Sequence, residues 1–416
     1  MVPTRRRALL RLAAVALVAL PMAYLVGRDG SPGWRAVRVL EVVLVSALAL
    51  AAILGLGRRW RGAGLVLVGI AGAAVGVGIA AQWLPKAGVG PVSAAGGLAL
   101  MAGLACLALG LIDLGGSLGR GVRWAVVLAV LLCSAVLLLT LGIAVAATNV
   151  PPADLGDETP ADRGLAFEET AFTTEDGVTL SGWYLPSANR AAVVLLHGSG
   201  STRSSVLDHA VVLARGGYGV LLFDARGHGE SGGRAMDFGW FGDSDIAAAL
   251  DHLEQRAEVD PQRIAAVGLS MGGEEAIGAA AADGRLRAVV AEGATGRTAD
   301  DKAWLSGAYG FNGWVQQRVD DLTYWFTDLL TSAGPPRRLR DAAAQAAPRP
   351  LLLITAGEVA DEGLAAEYIR SAAADTVEVW EVPGAGHTGG LATAPAEWEA
   401  TVLGFLDQVL LAAPAD

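Results

Sequence analysis

Long apolar runs fill the first 150 residues of the chain, and short ones fill the rest. An α-helix of about 20 apolar residues crosses the roughly 30 Å hydrocarbon core of a bilayer. Five runs near that length follow one another, at residues 8–26, 37–56, 62–84, 91–112 and 124–148. The pattern predicts a five-helix transmembrane bundle over residues 1–148. The first run follows three arginines, as in a signal peptide, but the four further runs favour a retained helix.

Residues 149–163 contain three prolines and no apolar period, which predicts a linker. In residues 164–416, short apolar runs alternate with helical stretches. The predicted strands are Phe167–Thr173, Thr179–Leu185, Ala192–Leu196, Gly219–Phe223, Ile264–Leu269, Ala288–Ala291, Leu351–Thr355 and Val377–Val382. The predicted helices are Ser204–Arg215, Asp243–Arg256, Met271–Ala282, Glu362–Ala373 and Ala396–Leu411. Such alternation is typical of an α/β domain with a mostly parallel sheet covered on both faces.

Composition and charge separate the two parts of the chain. Of its 416 residues, 53% are hydrophobic and 18% are charged, which excludes a disordered chain and a coiled coil. Residues 1–150 carry 13 Lys and Arg against 3 Asp and Glu, a net charge of +10, whereas residues 151–416 carry 18 against 39, a net charge of −21. An acidic domain is a poor ligand for a polyphosphate, so no nucleic-acid partner is expected. Cys106 and Cys133 lie inside apolar runs and are interpreted as packing residues.

Positive charge predicts the orientation of the bundle, because cytoplasmic loops are rich in Lys and Arg. The N-terminus and the second and fourth loops carry nine arginines: Arg5, Arg6, Arg7, Arg11, Arg58, Arg59, Arg61, Arg120 and Arg123. The other side carries four basic residues: Arg28, Arg35, Arg38 and Lys86. The N-terminus is therefore expected in the cytoplasm and the C-terminal domain outside it. The bundle is interpreted as an anchor, and the small-residue pair Gly72 and Gly76 is attributed to the high glycine content.

Ser270 lies in a G-x-S-x-G pattern, Gly268–Gly272, directly after a predicted strand and before a predicted helix. Glycines at these positions permit the sharp turn that exposes a nucleophilic hydroxyl. The start of the helix offers the Met271 N–H to a developing oxyanion. A second glycine-rich turn, His197–Gly200, follows another predicted strand and is expected to supply the Ser199 N–H. No P-loop sequence accompanies this turn, which argues against a phosphate-binding loop.

His387 follows the last predicted strand in a tight glycine-rich loop and is the predicted general base. The acid that orients it is expected after the strand at residues 351–355, in the chain order Ser, acid, His. Asp361 is the preferred candidate, with helix capping as its competing role. Three further carboxylates are alternatives: Glu358, Glu362 and Glu292. The other four histidines are interpreted as structural, two on helices and two holding glycine turns: His209, His252, His197 and His228.

These motifs resemble those of the α/β-hydrolase superfamily, and above all its prolyl oligopeptidase-like, serine aminopeptidase-like and dienelactone-hydrolase-like branch. The resemblance covers residues 167–411 and rests on four segments: His197–Gly200, Asp224–Ser231, Gly268–Gly273 and Gly386–His387. It implies an eight-stranded sheet with flanking helices and a helical cap, and a Ser–His–acid triad without metal or cofactor. In that family the second segment is mainly structural, so its polar residues are not assigned to catalysis: Asp224, Arg226 and His228. The family's acid lies three residues after the glycine, where this chain has Ala360, and Asp361 is one residue late.

The expected function is that of a membrane-anchored serine hydrolase that cleaves an ester, or less readily an amide or peptide, through an acyl-enzyme. The alternatives are an acyltransferase on the same triad and a non-catalytic scaffold that has kept the fold. The expected partners are the bilayer and a small-molecule or lipid-like acyl substrate. An insert at about 295–345 is expected to form the cap, and packing onto the domain is the competing role of its aromatic residues. These are Trp304, Tyr309, Phe311, Trp314, Tyr324, Trp325 and Phe326.

Overall fold

The computed structural model describes the backbone of residues 2–28, 30–55 and 57–412, and the side chains of these residues except 2–8 and 55. Five helices make up the N-terminal part: α1 (Val2–Gly27), α2 (Pro32–Gly55), α3 (Arg58–Ala87), α4 (Pro91–Gly115) and α5 (Arg120–Thr148). All five are long and apolar enough to cross a membrane, which confirms the predicted number of such helices. Three side chains that contribute to the predicted orientation lie outside the described residues: Arg5, Arg6 and Arg7.

Glycines set the close packing of α3 against α4. A Cβ added at Gly72 would lie 2.9 Å from the carbonyl oxygen of Ala99, and one at Gly76 would lie 2.6 Å from the Cα of Leu100. From the other helix, a Cβ at Gly103 would lie 2.7 Å from the carbonyl carbon of Gly72. Small residues let helix backbones approach in this way where a membrane offers no hydrophobic driving force. The attribution of Gly72 and Gly76 to composition alone is therefore wrong, because both lie in the helix contact.

One carboxylate joins the ends of three helices in this bundle. Asp113 of α4 accepts a hydrogen bond from Arg61 of α3 at 2.7 Å. Arg11 of α1 donates to the same carboxylate at 3.2 Å, and Arg58 of α3 lies 3.4 Å from it. Charges near helix ends are tolerated because long side chains can reach the polar interface. The ion pairs thus fix the relative register of α1, α3 and α4 at one end of the bundle.

An eight-stranded sheet lies at the centre of the C-terminal part. Its strands are β1 (Glu168–Thr173), β2 (Thr179–Leu185), β3 (Ala192–Leu196), β4 (Gly219–Phe223), β5 (Ile264–Leu269), β6 (Leu286–Glu292), β7 (Leu351–Ala356) and β8 (Val377–Val382). They are ordered β1–β2–β4–β3–β5–β6–β7–β8 across the sheet. The β1–β2 and β2–β4 pairs are antiparallel, and the other five pairs are parallel. The predicted mostly parallel sheet is confirmed, with every strand within two residues of its predicted ends.

Among the described residues, eight α-helices lie between and after these strands. They are α6 (Leu207–Arg215), α7 (Gly242–Leu253), α8 (Met271–Ala282), α9 (Leu305–Leu330), α10 (Leu339–Ala346), α11 (Ala360–Arg370), α12 (Gly390–Thr393) and α13 (Pro395–Leu410). The five predicted helices are all present as α6, α7, α8, α11 and α13. The difference in limits that matters for the site is that of α11, which begins at Ala360, two residues earlier than predicted.

The central strands are buried on both faces. Every residue of β3, β4, β5 and β7 is buried, as their unbroken apolar runs predict. Side chains alternate between two separate cores, with Val194 and Leu221 on one face and Val193 and Leu222 on the other. Because β5, β7 and β8 are parallel in this sheet, the loops that follow them meet at one edge, where ligands bind in such folds.

The chain forms two compact units. One comprises Met1–Pro151 together with Arg318–Ser332, and the other comprises Pro152–Gln317 and Ala333–Asp416. The first part of α9 thus belongs to the unit that contains the sheet, and its last part to the unit of the five apolar helices. The sequence analysis assigns all of residues 295–345 to the C-terminal domain. It does not reveal that residues 318–332 belong to the unit of the five apolar helices.

Candidate active site

Ser270 lies at the carboxyl end of β5, on the turn into α8. Its φ of 53° and ψ of −120° lie in a region that residues with a side chain rarely adopt. The surrounding turn has no room for larger residues, since a Cβ at Gly272 would lie 2.7 Å from the carbonyl oxygen of His197. Similarly, a Cβ at Gly273 would lie 3.1 Å from that of Ala291. A strained strand-to-helix turn of this kind holds the hydroxyl clear of the sheet.

His387 lies in the loop between β8 and α12. Its Nε2 is 2.9 Å from the Oγ of Ser270, although the two residues are 117 positions apart in the chain. Gly293 leaves the space for the imidazole, because a Cβ there would lie 3.0 Å from the Cε1 of His387. The structure therefore brings the predicted nucleophile and the predicted base within hydrogen-bond distance.

The carboxylate beside this imidazole belongs to Glu362, in the first turn of α11. Its Oε1 lies 2.6 Å from Nδ1 of His387, and its Oε2 accepts the N–H of Ala356 at 2.8 Å. The residue is fully buried. A carboxylate cannot donate, so the proton of the neutral imidazole lies on Nδ1 and Nε2 faces the serine as an acceptor. This is the arrangement that a general base requires.

The preference for Asp361 as the acid is wrong. Its carboxylate is exposed and accepts a hydrogen bond from the hydroxyl of Tyr309 at 2.5 Å. Successive helical residues point about 100° apart, so Asp361 and Glu362 face different directions. Because α11 begins at Ala360, Glu362 turns inward on the same buried face as Ala365. The helix start thus decides which of the two adjacent acids meets the imidazole.

The other two candidate acids have different partners. Glu292, the last residue of β6, accepts the N–H of Gly390 at 2.7 Å and the indole N–H of Trp398 at 2.9 Å. Burial raises the pKa of Glu292. This carboxylate fixes the segment that follows the histidine loop. Glu358 is exposed, and its main-chain N–H donates to the carbonyl of Ala385 at 3.0 Å.

Glu362 controls the protonation of His387. The hydrogen bond from the imidazole to this carboxylate raises the pKa of His387 above its ordinary value, although partial burial opposes the shift. A negative charge beside Nδ1 stabilises the imidazolium that forms when a general base accepts a proton. The same contact therefore orients the ring and supports its charged state.

Met271 and the turn that contains Ser199 both lie near Ser270. Met271 is the first residue of α8, and the N–H groups of a first helical turn have no acceptor within the helix. The second turn is also close, because a Cβ at Gly198 would lie 3.4 Å from the Cβ of Ser270. The hydroxyl of Ser199 donates to Asp237 at 2.6 Å. Any role of Ser199 beside the nucleophile therefore falls to its main-chain N–H.

Two buried imidazoles hold this turn, as the sequence predicts. The Nε2 of His197 accepts the N–H of Ala225 at 3.0 Å, and its Nδ1 lies 2.8 Å from the carbonyl of Gly198. The Nε2 of His228 accepts the N–H of Gly200 at 3.3 Å. An imidazole that accepts a hydrogen bond is neutral, and burial lowers the pKa of His197 to about 3. Both rings are therefore fixed, uncharged braces.

The segment Asp224–Ser231 is structural, as the resemblance implies. Its first residue is buried and accepts the main-chain N–H groups of Arg203 and Glu230 at 2.8 and 3.0 Å. Arg226 pairs with the buried carboxylate of Asp245 at 2.5 Å. Paired charges and bonded carboxylates are the form in which such groups are tolerated in a protein interior.

The two remaining histidines serve in packing. His209 of α6 lies against the ring of Trp398, with centroids 5.1 Å apart, and burial lowers the pKa of His209 to about 4. His252 of α7 lies 2.9 Å from the hydroxyl of Thr170 and stacks on Phe172. Their interpretation as structural residues agrees with these contacts.

Most aromatic side chains of the insert lie on α9. This helix breaks at Gly310, where φ is 56° and ψ is −128°. Tyr324 is buried at 7% exposure, whereas Phe311 and Trp314 are 75% and 51% exposed. Packing onto the rest of the protein explains Tyr324 but leaves the two exposed rings unexplained.

Comparison with known proteins agrees with this fold. Residues 187–324 match the family described as serine aminopeptidase, S33. An uncharacterized protein of Mycobacterium tuberculosis is 39% identical over 124 residues, which cover 29% of this chain and 42% of the relative. A thiohydrolase of Aspergillus aculeatus is 38% identical over 128 residues, which cover 30% of this chain and 40% of the relative. The matched stretches thus span about two fifths of the length of these relatives.

Among solved structures, an esterase of Pyrococcus furiosus superposes with a TM-score of 0.50 at 26% identity. The superposition covers 63% of this chain and 98% of the esterase. The eight-stranded sheet, the serine turn at the end of β5 and the family match all lie in the part of the chain that follows the five apolar helices. That part of the chain has the α/β-hydrolase fold.

Proposed function

We propose that this protein is a membrane-anchored serine hydrolase that cleaves an ester bond through an acyl-enzyme. Ser270 is the nucleophile, His387 the general base and Glu362 the orienting acid. One observation carries the proposal: His387 lies 2.9 Å from the serine hydroxyl on one side and 2.6 Å from a buried carboxylate on the other. Covalent acyl transfer requires a nucleophile that contacts a base, and a third group that orients the base.

In the proposed reaction each step uses a named atom. Nε2 of His387 accepts the proton of Ser270 as the serine oxygen attacks the substrate carbonyl carbon. The resulting oxyanion accepts hydrogen bonds from the N–H groups of Met271 and Ser199. The imidazolium then protonates the leaving group, and the acyl-enzyme remains. A water molecule, deprotonated by the same nitrogen, attacks the acyl carbon and releases the acid and the free serine.

The relatives support an acyl ester as the substrate class. One is named an esterase and another a thiohydrolase, and both names describe cleavage of a carbonyl bonded to a good leaving group. An alkoxide or a thiolate is expelled more readily than an amide anion, so an ester or a thioester demands less protonation of its leaving group by the imidazolium than an amide does. We therefore place esters and thioesters ahead of amides and peptides.

Membrane anchoring is part of the proposal. The five apolar helices are long enough to span a bilayer, and their outer surfaces carry large exposed apolar side chains such as Leu48 at 71% and Met101 at 69% exposure. In water such a surface would aggregate, whereas lipid covers it without cost. The charge distribution of the loops favours a cytoplasmic N-terminus and an extracytoplasmic hydrolase domain.

A fluorophosphonate probe tests the chemistry on the full-length protein in detergent. We expect covalent labelling of the wild type and none of Ser270→Ala. Ser244→Ala is a matched control that should keep the label, because the hydroxyl of Ser244 is exposed and donates to the carbonyl of Phe241, three residues earlier. A folded wild type that takes no label would favour the non-catalytic scaffold. Acyl esters of increasing chain length, offered with and without an acceptor alcohol, then separate hydrolysis from acyl transfer by their products.

The orientation has its own test. On a background with Cys106→Ala and Cys133→Ala, a single cysteine at Ala400→Cys lies at an exposed position on α13. A membrane-impermeant maleimide should label it in intact cells that express the full chain. Labelling only after the membrane is permeabilised would place the domain in the cytoplasm.

A further inference from the structure

The part of α9 that follows Gly310 has two contrasting faces. One face is buried and includes Gly313, Thr323 and Thr327. The opposite face carries six large apolar side chains, each 36–75% exposed: Phe311, Trp314, Val315, Leu322, Trp325 and Leu329. Their spacing follows the helical repeat, so they lie along one side of the helix over about five turns. We call these six residues the apolar stripe.

A charged residue interrupts the apolar stripe at one position. Arg318 lies within it, and its guanidinium pairs with the carboxylate of Asp321 at 3.0 Å, one turn further along the same helix. An arginine held in this way can cover apolar surface with its methylene groups and keep its charged end at a polar boundary. Exposed apolar area of this extent, on a helix with a well-packed opposite face, marks an interaction surface.

The last part of α9 belongs to the same compact unit as the five apolar helices. Leu330 packs against a cluster that includes Leu25 of α1, Ile79 of α3 and Val145 of α5. These residues lie near one end of the bundle, the end at which α5 finishes. The half of the apolar stripe formed by 322–329 is thus carried by the same unit as the helices proposed to cross the bilayer.

We propose that the apolar stripe of α9 lies in the interfacial layer of the same bilayer, in contact with lipid. Trp314 and Trp325 would lie at the level of the headgroups, where indole is favoured because it offers both an apolar ring and a polar N–H. Phe311, Leu322 and Leu329 would reach the boundary of the acyl chains, as the apolar face of an interfacial helix does. The inference rests on the membrane anchoring proposed above and adds a sixth lipid contact, one that lies on the insert of the hydrolase.

Lipid fits this surface better than a protein partner does. The half of the stripe at 322–329 belongs to the same unit as the five apolar helices, so a bilayer that surrounds those helices would meet this half without any further association. Two tryptophans on one exposed helix face are also typical of membrane interfaces. A second copy of this chain would instead bury the stripe away from both water and lipid, and this difference is measurable.

The test uses the full-length protein in lipid nanodiscs, on the Cys106→Ala and Cys133→Ala background. Single cysteines at Phe311→Cys and Trp325→Cys carry an environment-sensitive nitrobenzoxadiazole label, and brominated lipids quench any label that touches acyl chains. Ala400→Cys, an exposed helical position on α13, is the water-exposed control. Leu44→Cys, 54% exposed near the middle of α2, is the lipid-exposed control.

We expect brominated lipid to quench the labels at 311 and 325 clearly more than the label at 400 but less than the label at 44, because the stripe lies near the membrane surface, and we expect iodide in the water to quench the label at 400 most. Labels at 311 and 325 that behave like the one at 400 would overturn the interfacial position. Labels protected from both quenchers would also overturn it and would point to a protein partner or a second copy. If the label at 44 also escapes brominated lipid, the membrane anchoring itself fails, so the two proposals fail distinguishably.

Discussion

Oε1 of Glu362 lies 2.6 Å from Nδ1 of His387, while the adjacent Asp361 bonds to the hydroxyl of Tyr309. Two neighbouring carboxylates thus have separate tasks, set only by their positions around one helix. The buried one faces the imidazole and the exposed one contacts the helical insert. The orientation of the proposed base therefore depends on the first turn of α11.

The two acids give a matched pair of variants. Glu362→Gln should lower kcat by about 10²- to 10⁴-fold, because the amide no longer fixes the imidazole in the required tautomer. Asp361→Asn should change kcat by less than about 3-fold, since this residue has no contact with the reacting atoms in the part of the chain that the structure describes. Steady-state hydrolysis of a chromogenic ester measures both. The reverse ranking would restore Asp361 as the acid.

The contact between Glu362 and His387 also predicts a pH dependence. Only the neutral imidazole accepts the serine proton, so kcat/KM should rise with pH through the pKa of His387. The carboxylate raises that pKa, and its removal should lower it, because the imidazolium loses its stabilising charge. The acidic limb of the Glu362→Gln profile should therefore lie at lower pH than that of the wild type. If the acidic limb of Glu362→Gln lies at the same pH as that of the wild type, the group that titrates does not depend on the contact between Glu362 and His387.

Replacement of Arg226 tests how much its buried ion pair with Asp245 contributes to stability. Arg226→Met leaves the buried carboxylate of Asp245 without its cation, which should lower the free energy of unfolding by about 3–5 kcal/mol. Arg370→Met breaks an exposed pair with Glu367 instead and should cost less than about 1 kcal/mol. Thermal loss of fluorophosphonate labelling reports both. Equal losses in the two variants would contradict the importance of burial.

The glycines between α3 and α4 are tested by a change of volume. Gly103→Val should destabilise the bundle by about 1–3 kcal/mol, because its side chain meets the backbone of α3. Gly97→Val lies on the same helix, and a Cβ there has no atom within 4 Å among the described residues. Thermal denaturation of the full-length protein in detergent should separate the two variants. If Gly97→Val is as damaging as Gly103→Val, helix propensity and not close packing is the cause.

The sequence predicts the sheet accurately because burial on both faces leaves a plain signal. β3, β4 and β5 are unbroken apolar runs that end in glycine, aspartate or serine turns, and their predicted and observed limits coincide. The same logic places Ser270 and His387 at the ends of β5 and β8. Parallel strands bring such ends to one edge, so no further information is needed to expect the two residues to meet.

The choice of acid needed the helix register, which the sequence does contain. Glu362 shares an i, i+3, i+4, i+7 pattern with the apolar residues of α11: Ala365, Ala366 and Ile369. Asp361 lies outside this buried pattern. A prediction based on the distance from the preceding glycine overlooks it, whereas the periodicity of the helix selects Glu362.

Two features are harder to predict: the close contact of α3 and α4 at their glycines, and the membership of residues 318–332 in the first unit. Gly72, Gly76 and Gly103 owe their role to the identity of the opposing helix, and Gly97 shows that the same residue type also occurs where nothing approaches. For α9, the sequence shows an aromatic insert but not which partner it packs against. Both features depend on tertiary neighbours and not on local pattern.

Because Arg318–Ser332 belongs to the first unit, the way in which the protein is prepared affects what can be measured on it. A fragment cut after the linker would still contain this stretch but would lose the apolar cluster against which Leu330 packs. Such a truncated protein should self-associate in aqueous buffer even if its sheet folds normally. If activity is measured on the intact chain in lipid or detergent, loss of protein by self-association is not mistaken for a lack of activity.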